Sequence, residues 1–412
     1  MCNCTSCSST EATDYSLDQG RRKFMLDSLA AGGLAASLGM SGLARANAPA
    51  EANPVVKIGY LPITDATALL VAHANGYFEE EGLKVEAPTL IRGWSPLVEG
   101  FAAGRFNLVH LLKPIPLWMR YNNQFPVKIM AWAHTSGSAV VVGRRSQAKD
   151  FGDLGGSQVA VPYWYSVHNV LLQKALKQAG LKPVIKDQGA TLAADEVNLL
   201  ILPPPEMPPA LAAGQIDAFT VAEPFNAAGE LLAGGRMLRF TGDIWQNHPC
   251  CVICMNEQMV NQNPEWTQKA MNALVRAEAY AQANKESVAE MLSRDGKGYL
   301  PMPAKVVVRA MTHYGTEHYD DGMAIRHGAW SNGRIDFAPY PYPSATRFLV
   351  DAMRDTLVSG DNTFLGDLDA DFVASDLVDD RFVKQALGKY PTAHVPGGNP
   401  DSLWDREEVF SL

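Results

Sequence analysis

The sequence predicts an α/β protein of two lobes, each a mainly parallel sheet flanked by helices, hinged around a cleft. Three observations support this fold class. The chain has 412 residues, of which 47% are hydrophobic, so it is long enough for two domains. Extended and helical patterns alternate from Val55 onward, which is typical of parallel βαβ units. The same alternation begins again near Gln158, which indicates a second sheet.

The amino-terminal segment 1–46 predicts a secretory signal. Adjacent Arg21 and Arg22 precede a weakly hydrophobic stretch rich in Ala, Gly and Leu, which ends in an A-R-A tripeptide at Ala46. This arrangement is typical of a twin-arginine signal that is cleaved after the tripeptide. We therefore expect export to the periplasm, with residues 47–54 as a linker to the folded part.

The first lobe is predicted from three extended strings with helical strings between them. The strands are VVKIGYLPI, KVEAPTL and FNLVHLL, and the helices are ATALLVAHANGYFEEEGL and WSPLVEGFAAG. The apolar runs VKIMAWAH and AVVVGRR then lead the chain into the second lobe. We assign residues 55–140 and 225–412 to lobe 1, with the last seventy residues wrapping the lobes, and residues 141–224 to lobe 2.

The second lobe repeats the pattern. SQVAVPYW, VNLLILPPP and DAFTVAEP predict strands, and VHNVLLQKALKQAGL and MPPALAAGQ predict helices. CVICMNE is a further apolar strand, and a long helix from Glu265 to about Arg294 follows Asn263 and Pro264. Ligands of open α/β sheets bind at the carboxyl ends of strands, so we expect the binding residues in the loops there.

The charge of the chain limits the classes of partner that it is expected to bind. The formal net charge is −9 at pH 7, and the sequence has no long basic run. Surfaces that bind nucleic acid need clustered Lys and Arg, so we expect no nucleic-acid partner. We expect a small-molecule ligand, no cofactor and a monomer, because a hinge opens and closes without a second subunit.

Three cysteines lie close together in the string HPCCVIC, and cleavage of the signal would remove the other three. Thiolates and an imidazole at this spacing suit copper(I) or zinc, so a metal site of His248, Cys250, Cys251 and Cys254 is one interpretation. The other is a buried strand with small apolar thiols. Alternate side chains of a strand point to opposite faces, so Cys250 and Cys251 would diverge.

Several strings in order resemble the periplasmic solute-binding proteins of nitrate/sulfonate/bicarbonate-type ABC importers. They are VKIGYLPITDATALLVAHANGYFEEEGLKV, GWSPLVEGFAAGRFNLVHLLKPIPLWM, GQIDAFTVAEPFNA and DIWQNHPCCV, and NGRIDFAPYPYP is similar to the nitrate and bicarbonate branch. The resemblance implies the type II periplasmic-binding-protein fold, a small anion held between the lobes, and a permease and ATPase complex as partner. It implies no catalytic residue.

The resemblance also indicates candidate ligand-binding residues. Trp94 and His168 stand where nitrate-binding members carry a tryptophan and a histidine. Ser138 and Gln246 depart from the pattern, since those members carry a glutamine and a lysine there. Lys113 supplies a cation elsewhere, and it either points into the cleft or extends to solvent. The full candidate set is Thr64, Trp94, Lys113, Ser138, Trp164, His168, Asn169, Glu223 and Gln246.

Polar residues beside the cleft also have structural interpretations. Ser166 and Asp65 are predicted to cap the helices that follow them. Glu223 is predicted to brace the lobes or a loop, and Thr64 could reach the ligand.

One enzymatic alternative uses the same fold. Thiamine-pyrimidine synthases have a cysteine-rich iron site, with which HPCCVIC invites comparison. They carry a denser cysteine run and act in the cytosol, so the export signal favours a binding protein.

Overall fold

The computed structural model describes residues 53–319, 323–393 and 405–412. The predicted signal and all but the last two residues of the predicted linker lie outside the described residues. No helix in the described part of the chain is long and apolar enough to span a bilayer.

The described residues form thirteen strands and fourteen α-helices. The strands are β1 (Ile58–Tyr60), β2 (Thr89–Leu90), β3 (Leu108–Leu112), β4 (Val127–Trp132), β5 (Thr135–Ser136), β6 (Ser138–Val142), β7 (Gln158–Val161), β8 (Lys182–Val184), β9 (Glu196–Ile201), β10 (Ala218–Ala222), β11 (Arg236–Phe240), β12 (Cys251–Asn256) and β13 (Ile335–Asp336). The helices are α1 (Thr67–Ala74), α2 (Tyr77–Glu80), α3 (Trp94–Ala102), α4 (Pro114–Tyr121), α5 (Val167–Gln178), α6 (Met207–Ala213), α7 (Phe225–Ala233), α8 (Glu257–Gln262), α9 (Pro264–Ala283), α10 (Lys285–Leu292), α11 (Ala304–Thr312), α12 (Pro343–Arg354), α13 (Ala370–Leu377) and α14 (Arg381–Lys389).

The first sheet has the order β2-β1-β3-β12-β4. β1 pairs in parallel with both β2 and β3, which confirms the predicted βαβαβ unit. β12 returns late in the chain and runs antiparallel between β3 and β4, with Val252 opposite Leu111 on one side and Trp132 on the other. The apolar CVIC string therefore forms a central strand that is buried on both faces.

The second sheet has the order β11-β6-β10-β7-β9-β8. β10, β7, β9 and β8 are parallel; at one side β6 runs antiparallel to β10, and β11 pairs antiparallel with β6. The sheet begins at Ser138 and ends at Phe240, so it extends beyond the range 141–224 that we assign to lobe 2.

β11 was not predicted from the sequence, because Arg236 and Arg239 interrupt its apolar pattern. Arg239 is buried, and its Nε donates to the carbonyl of Met323 at 2.8 Å.

Two helices predicted as continuous are interrupted. The first divides into α1 and α2, because Gly76 has φ 72° and ends the helical path in a left-handed conformation. The second divides into α9 and α10 at Asn284, whose backbone is not helical. The side-chain amide of Asn284 donates instead to the carbonyl of Tyr280 at 2.8 Å.

The carboxyl-terminal part of the chain contacts elements of both sheets. α12 packs against α5 of the second lobe, whereas α13 and α14 pack against β4 of the first. β13 pairs with β5, which lies in the segment between the two sheets. Near the carboxyl terminus, Phe410 forms an isolated antiparallel β-bridge with Trp245.

Close packing at β1 leads to a stability prediction. A Cβ on Gly59 would lie 2.5 Å from Phe106 Cδ2 and 2.8 Å from Leu97 Cδ1, both of which are buried. We expect Gly59→Ala to lower the free energy of unfolding by about 1–3 kcal/mol, because these side chains must move. Chemical denaturation measures the change.

The matched control for this variant is Gly388→Ala in α14, where an added Cβ has nothing within 4 Å. Alanine is the better helix former there, so we expect a gain of about 0.5–1 kcal/mol. Equal losses in Gly59→Ala and Gly388→Ala would contradict the packing argument.

Candidate functional site

Loops at the strand ends of both sheets contribute buried polar side chains. On the first lobe, Thr64 and Asp65 follow β1, and Trp94 follows β2. Cys250 immediately precedes β12, whose first residue, Cys251, lies opposite the last residue of β3. All five side chains are at most 3% exposed.

The second lobe contributes three residues to the same layer. Ser138 begins β6 and lies opposite Ala222 at the end of β10. His168 lies in the first turn of α5, and Glu223 follows β10. We use the name interlobe polar site for ten buried residues, which are Thr64, Asp65, Trp94, His110, His134, Ser138, His168, Glu223, Cys250 and Cys251.

Direct contacts join the two lobes through this site. Ser138 Oγ lies 2.8 Å from His168 Nε2 and 3.7 Å from Cys250 Sγ, which is itself 3.8 Å from His168 Nε2. The backbone N–H and the hydroxyl of Thr64 both donate to the carbonyl of Glu223, at 2.8 and 3.1 Å. These contacts leave the side chains of the site buried between the two lobes.

Four ring nitrogens of the site lack a hydrogen-bond partner among the described residues: Trp94 Nε1 and the Nδ1 atoms of His110, His134 and His168. The N–H of Leu61 donates to His110 Nε2 at 3.1 Å, and burial lowers the pKa of His110 to about 3, so the ring is neutral and carries its proton on Nδ1. The Trp94 ring lies edge-on to His110, with centroids 5.7 Å apart. His110 Nδ1 and Trp94 Nε1 are both buried without an acceptor, which is uncommon in a core.

Asp65 contacts a histidine rather than capping a helix. Asp65 Oδ2 lies 2.9 Å from His134 Nε2, and both side chains are 0% exposed. Burial acts to lower the pKa of His134, but the charge of Asp65 and its contact outweigh burial and raise that pKa to about 10. The predicted cap is wrong, since the turn after β1 has no side-chain cap and the carboxylate faces the imidazole.

The cysteine string does not form the predicted four-residue metal set. His248 Nε2 lies 2.7 Å from Thr241 Oγ, and the His248 ring stacks on Trp245. Cys254 lies further along β12, with its Sγ near the carbonyl of Val252. Ligand atoms of a different set lie within 4.8 Å of one another: Asp65, His134, Cys250 and Cys251.

Lys113 is buried and does not extend to solvent. Its Nζ lies 5.2 Å from the centroid of Trp132 and has no hydrogen-bond partner among the described residues. Burial lowers the pKa of Lys113 to about 7, and Glu408 and Arg406 are the nearest charges that act on it. The structure excludes the alternative in which Lys113 extends to solvent, and its role in the cleft stays a prediction.

Asn169 braces the loop before α5. Its amide donates to the carbonyls of Trp164 at 2.9 Å and Leu357 at 3.2 Å, and its oxygen accepts from Gln173. Ser166 caps α5 as predicted, since its Oγ accepts from the N–H of Asn169 at 3.0 Å. Trp164 is partly buried and packs against the core of the second sheet. Asn169 therefore supports the loop in this structure, and ligand contact by Asn169 and Trp164 stays a prediction.

Glu223 has a bracing role, as one of its two sequence interpretations predicts. Its Oε1 accepts from Arg334 Nε at 2.7 Å, and its Oε2 accepts from the N–H of Ala227 at 3.0 Å. Both carboxylate oxygens are thus occupied by protein donors, and the carbonyl of Glu223 receives Thr64. This differs from the ligand-binding role suggested by the resemblance.

Gln246 lies in a loop that contacts the end of the chain. Its N–H donates to the carbonyl of Val409 at 3.0 Å, and the residue is partly exposed. The preceding Trp245 donates its Nε1–H to Glu408 at 2.7 Å and packs 4.4 Å from the ring of Phe348. The loop that we expected to enter the cleft is therefore tied to residues 405–412.

Two histidines of the site were not predicted from the sequence. His110 lies within LVHLL of β3, and His134 lies just after β4 in the string WAH. Both are 0% exposed. A single polar residue inside an apolar strand was the available signal, because such a group is buried only when the fold supplies a partner or a function.

The two sheets, the segments that cross between them and the polar layer at their strand ends define a protein of the two-lobed periplasmic-binding-protein fold. The chain belongs to the NMT1-like family, whose pattern matches residues 49–293. It is 27% identical over 322 residues to the nitrate/nitrite binding protein NrtA of Nostoc sp. (strain PCC 7120 / SAG 25.82 / UTEX 2576), covering 73% of this chain and 70% of that protein.

Two solved structures confirm the fold. The periplasmic nitrate-binding protein NrtA from Synechocystis PCC 6803 matches with a TM-score of 0.68 at 18% identity, over 85% of this chain and 93% of that chain. The ligand-binding component of an ABC-type import system from Staphylococcus aureus, crystallised with zinc bound, matches with a TM-score of 0.62 at 19% identity, over 81% of this chain and 99% of that chain.

Proposed function

We propose that this protein is the extracytoplasmic solute-binding component of an ABC importer. It captures a small anion of the nitrate, sulfonate or bicarbonate class between its lobes and delivers the anion to a permease and ATPase complex. Its similarity to the nitrate/nitrite binding protein NrtA supports this role. We further propose that it binds without catalysis, acts as a monomer, and reaches the periplasm through the twin-arginine signal of residues 1–46.

The observation that carries the proposal is the set of buried N–H donors without acceptors. Trp94 Nε1 and His110 Nδ1 are unpaired, and an anion accepts such donors without requiring a lysine. α3 begins at Trp94, and α5 begins one residue before His168, so two helix amino termini add partial positive charge. The side chains of Tyr163, before α5, and Ser95, in α3, lie near each other, so these two helix starts are close together.

The lobe contacts indicate how the anion enters. Ser138, His168 and Cys250 touch one another across the lobes, so uptake and release both require the hinge to open. Closure then excludes water, which strengthens each N–H to anion hydrogen bond.

Thermal-shift and calorimetric titrations test the substrate class. We expect at least one of nitrate, nitrite, bicarbonate, taurine or an alkanesulfonate to raise the Tm, because a ligand that binds only the folded state stabilises it. Sulfate and chloride at equal ionic strength are the controls. If none of the test anions shifts the Tm more than the controls do, the proposed function is wrong.

Two substitutions test the site itself. We expect Trp94→Phe, which removes the indole N–H and keeps a ring, and His168→Ala each to weaken binding of the identified anion about 10- to 100-fold. A hydrogen bond to a charged group contributes about 1.5–3 kcal/mol, which corresponds to that range. Isothermal titration calorimetry measures the Kd, and circular dichroism checks the fold.

Gln246→Ala is the matched control for these substitutions. The sequence suggests Gln246 for ligand contact. In the structure, however, its backbone N–H donates to the carboxyl-terminal segment. We expect its Kd to stay within about twofold, a change of less than 0.5 kcal/mol. A large loss in Gln246→Ala together with unchanged affinity in the other two variants would move the site to the DIWQN loop.

A further inference from the structure

We propose that Asp65, His134, Cys250 and Cys251 form a binding site for one thiophilic divalent metal ion of the Zn²⁺ type. Each residue offers one ligand atom, and these four atoms lie within 4.8 Å of one another. These residues belong to the interlobe polar site, but the inference does not rest on the proposed anion function and depends only on the positions of their side chains.

The geometry agrees with a single tetrahedral ion. Two sulfurs on a tetrahedral edge of one zinc lie about 3.8 Å apart, given Zn–S bonds of about 2.3 Å. The four atoms are therefore within small side-chain adjustments of one coordination sphere. Asp65 Oδ2 and His134 Nε2, 2.9 Å apart, already lie near the length of a tetrahedral edge, about 3.3 Å for oxygen and nitrogen ligands.

The ligand types select the class of metal. Two thiolates, an imidazole and a carboxylate suit zinc and similar borderline ions, whereas magnesium and calcium prefer oxygen ligands alone. Four protein ligands complete a tetrahedron, and all four side chains are 0% exposed, as in closed structural sites.

The chain path explains why adjacent cysteines converge. Cys251 is the first residue of β12, and Cys250 lies just outside the ladder, so strict alternation of side chains does not apply to the pair. Backbone hydrogen bonds hold both residues in place. The N–H of Lys113 donates to the Cys250 carbonyl at 2.9 Å, and the N–H of Ala133 donates to the Cys251 carbonyl at 3.0 Å. The second bond places Cys251 beside His134.

The buried carboxylate of Asp65 is incompletely paired by its protein neighbours. Asp65 is fully buried, its Oδ1 has no hydrogen-bond partner, and its ion-pair partner among the described residues is His134. A buried carboxylate is costly unless it is paired or coordinates a metal. On metal binding the two thiols and the protonated His134 ring each lose a proton to solvent, and a divalent cation then offsets two of the three ligand charges.

Neighbouring groups orient the ligands. Ser138 Oγ lies 3.7 Å from Cys250 Sγ and 2.8 Å from His168 Nε2. The hydroxyl can thus support the bound thiolate from the second lobe, while all four metal ligands come from the first lobe and the crossing segments. The proposed ion therefore lies beside the contact between the two lobes.

Cobalt titration tests the site, because Co²⁺ replaces Zn²⁺ and reports its ligands by absorption. The protein is the full chain with Cys2, Cys4 and Cys7 replaced by serine, so that the amino-terminal thiols do not contribute. We expect one Co²⁺ per chain, with sulfur-to-cobalt charge-transfer bands and the intense visible bands of tetrahedral coordination. Zn²⁺ should displace the cobalt, and Mg²⁺ should not.

Four variants locate the ligands. Cys251→Ser and Asp65→Asn are expected to weaken Co²⁺ binding at least about 10-fold, since each removes a ligand. Cys254→Ser is the matched control, because this buried thiol lies on the same strand outside the cluster, and His248→Gln is the control for the histidine. Both controls should bind Co²⁺ as the parent does.

Three results would overturn the proposal. The first is a parent protein that shows no charge-transfer band, and the second is a band lost equally in Cys254→Ser and Cys251→Ser. The third is a Cys250–Cys251 disulfide, found by mass spectrometry, in protein purified under reducing conditions. Thermal unfolding of each metal-free variant checks the fold, and Asp65→Asn, which preserves shape, decides the matter if Cys251→Ser does not fold.

Discussion

Arg334→Met is expected to lower the free energy of unfolding by about 3–5 kcal/mol, because it leaves a buried carboxylate without its partner. The Arg334 and Glu223 side chains are both 0% exposed, and Arg334 Nε donates to Glu223 Oε1 at 2.7 Å. The same guanidinium donates to Glu230 at 3.1 Å, to the Tyr319 hydroxyl at 2.9 Å and to the His313 carbonyl at 3.2 Å. One substitution thus removes every one of these contacts.

The position of this network in the fold is expected to increase the effect of losing Arg334. Glu223 follows β10 of the second lobe, and its carbonyl accepts two hydrogen bonds from Thr64 of the first lobe. Arg334 precedes β13, which pairs with β5 between the two sheets. We therefore expect the loss of Arg334 to loosen the contact between the lobes as well as to lower stability.

Urea denaturation of parent and variants measures the change. Arg326→Met is the matched control, because its ion pair with Asp150 is partly exposed, at 3.0 Å, and pairs of this kind contribute at most about 1 kcal/mol. Adding Glu223→Gln to Arg334→Met should recover at least about 1 kcal/mol, since it removes the unpaired charge. A loss in Arg334→Met no larger than that in Arg326→Met would show that the buried network is not important for stability.

Lys113→Met is expected to stabilise the protein, in contrast to Arg334→Met. We expect it to raise the free energy of unfolding by about 4 kcal/mol at pH 7. Burial lowers the pKa of Lys113 from 10.5 to about 7. The unfolded chain therefore binds a proton between pH 7 and 10.5 that the folded chain lacks. Methionine has a similar shape, carries no charge and can pack against the Trp132 ring, which lies 5.2 Å from Nζ.

The pH dependence gives this prediction a second readout. The penalty of burying Lys113 is fully present below pH 7 and is relieved as the pH rises toward 10.5. The gain from Lys113→Met should therefore shrink steadily from pH 7 to pH 10. If Lys113 also serves the anion, the same variant binds it more weakly, so stability and affinity change in opposite directions.

Lys174→Met is the matched control for this second variant. Its Nζ also lies near an aromatic ring, 4.9 Å from the centroid of Phe410, but the residue is exposed. We expect a change within about 0.5 kcal/mol, without a pH trend. If Lys113→Met lowers the free energy of unfolding, or raises it by an amount that does not depend on pH, then burial does not lower the pKa of Lys113 as we infer.

Much of the fold could be predicted because its signals are local. The strings around Ile58, Leu108 and Val159 alternate with helical periods, and the structure pairs the strands of each βαβ unit in parallel. The errors occur where tertiary contacts override the pattern. β11 contains Arg239, which is buried only because a distant carbonyl accepts from it, and no local rule anticipates such a partner.

The candidate site was predicted less completely. Trp94, Ser138 and His168 lie in the interlobe polar site, whereas Gln246 is tied to the carboxyl-terminal segment and Asn169 braces a loop. A resemblance places residues at positions along the chain. It does not show which way each side chain points.

The sequence by itself determined the two-lobed α/β class, the family resemblance and the presence of three thiols within one apolar string. Only the tertiary structure decided what surrounds those thiols. β12 inserts between β3 and β4, and this places Cys251 beside His134, from which it is separated by 117 positions in the chain. Residues so far apart meet because of strand order, which depends on the packing of the whole sheet. For this reason the structure replaces His248 and Cys254 with His134 and Asp65 as the neighbours of Cys250 and Cys251.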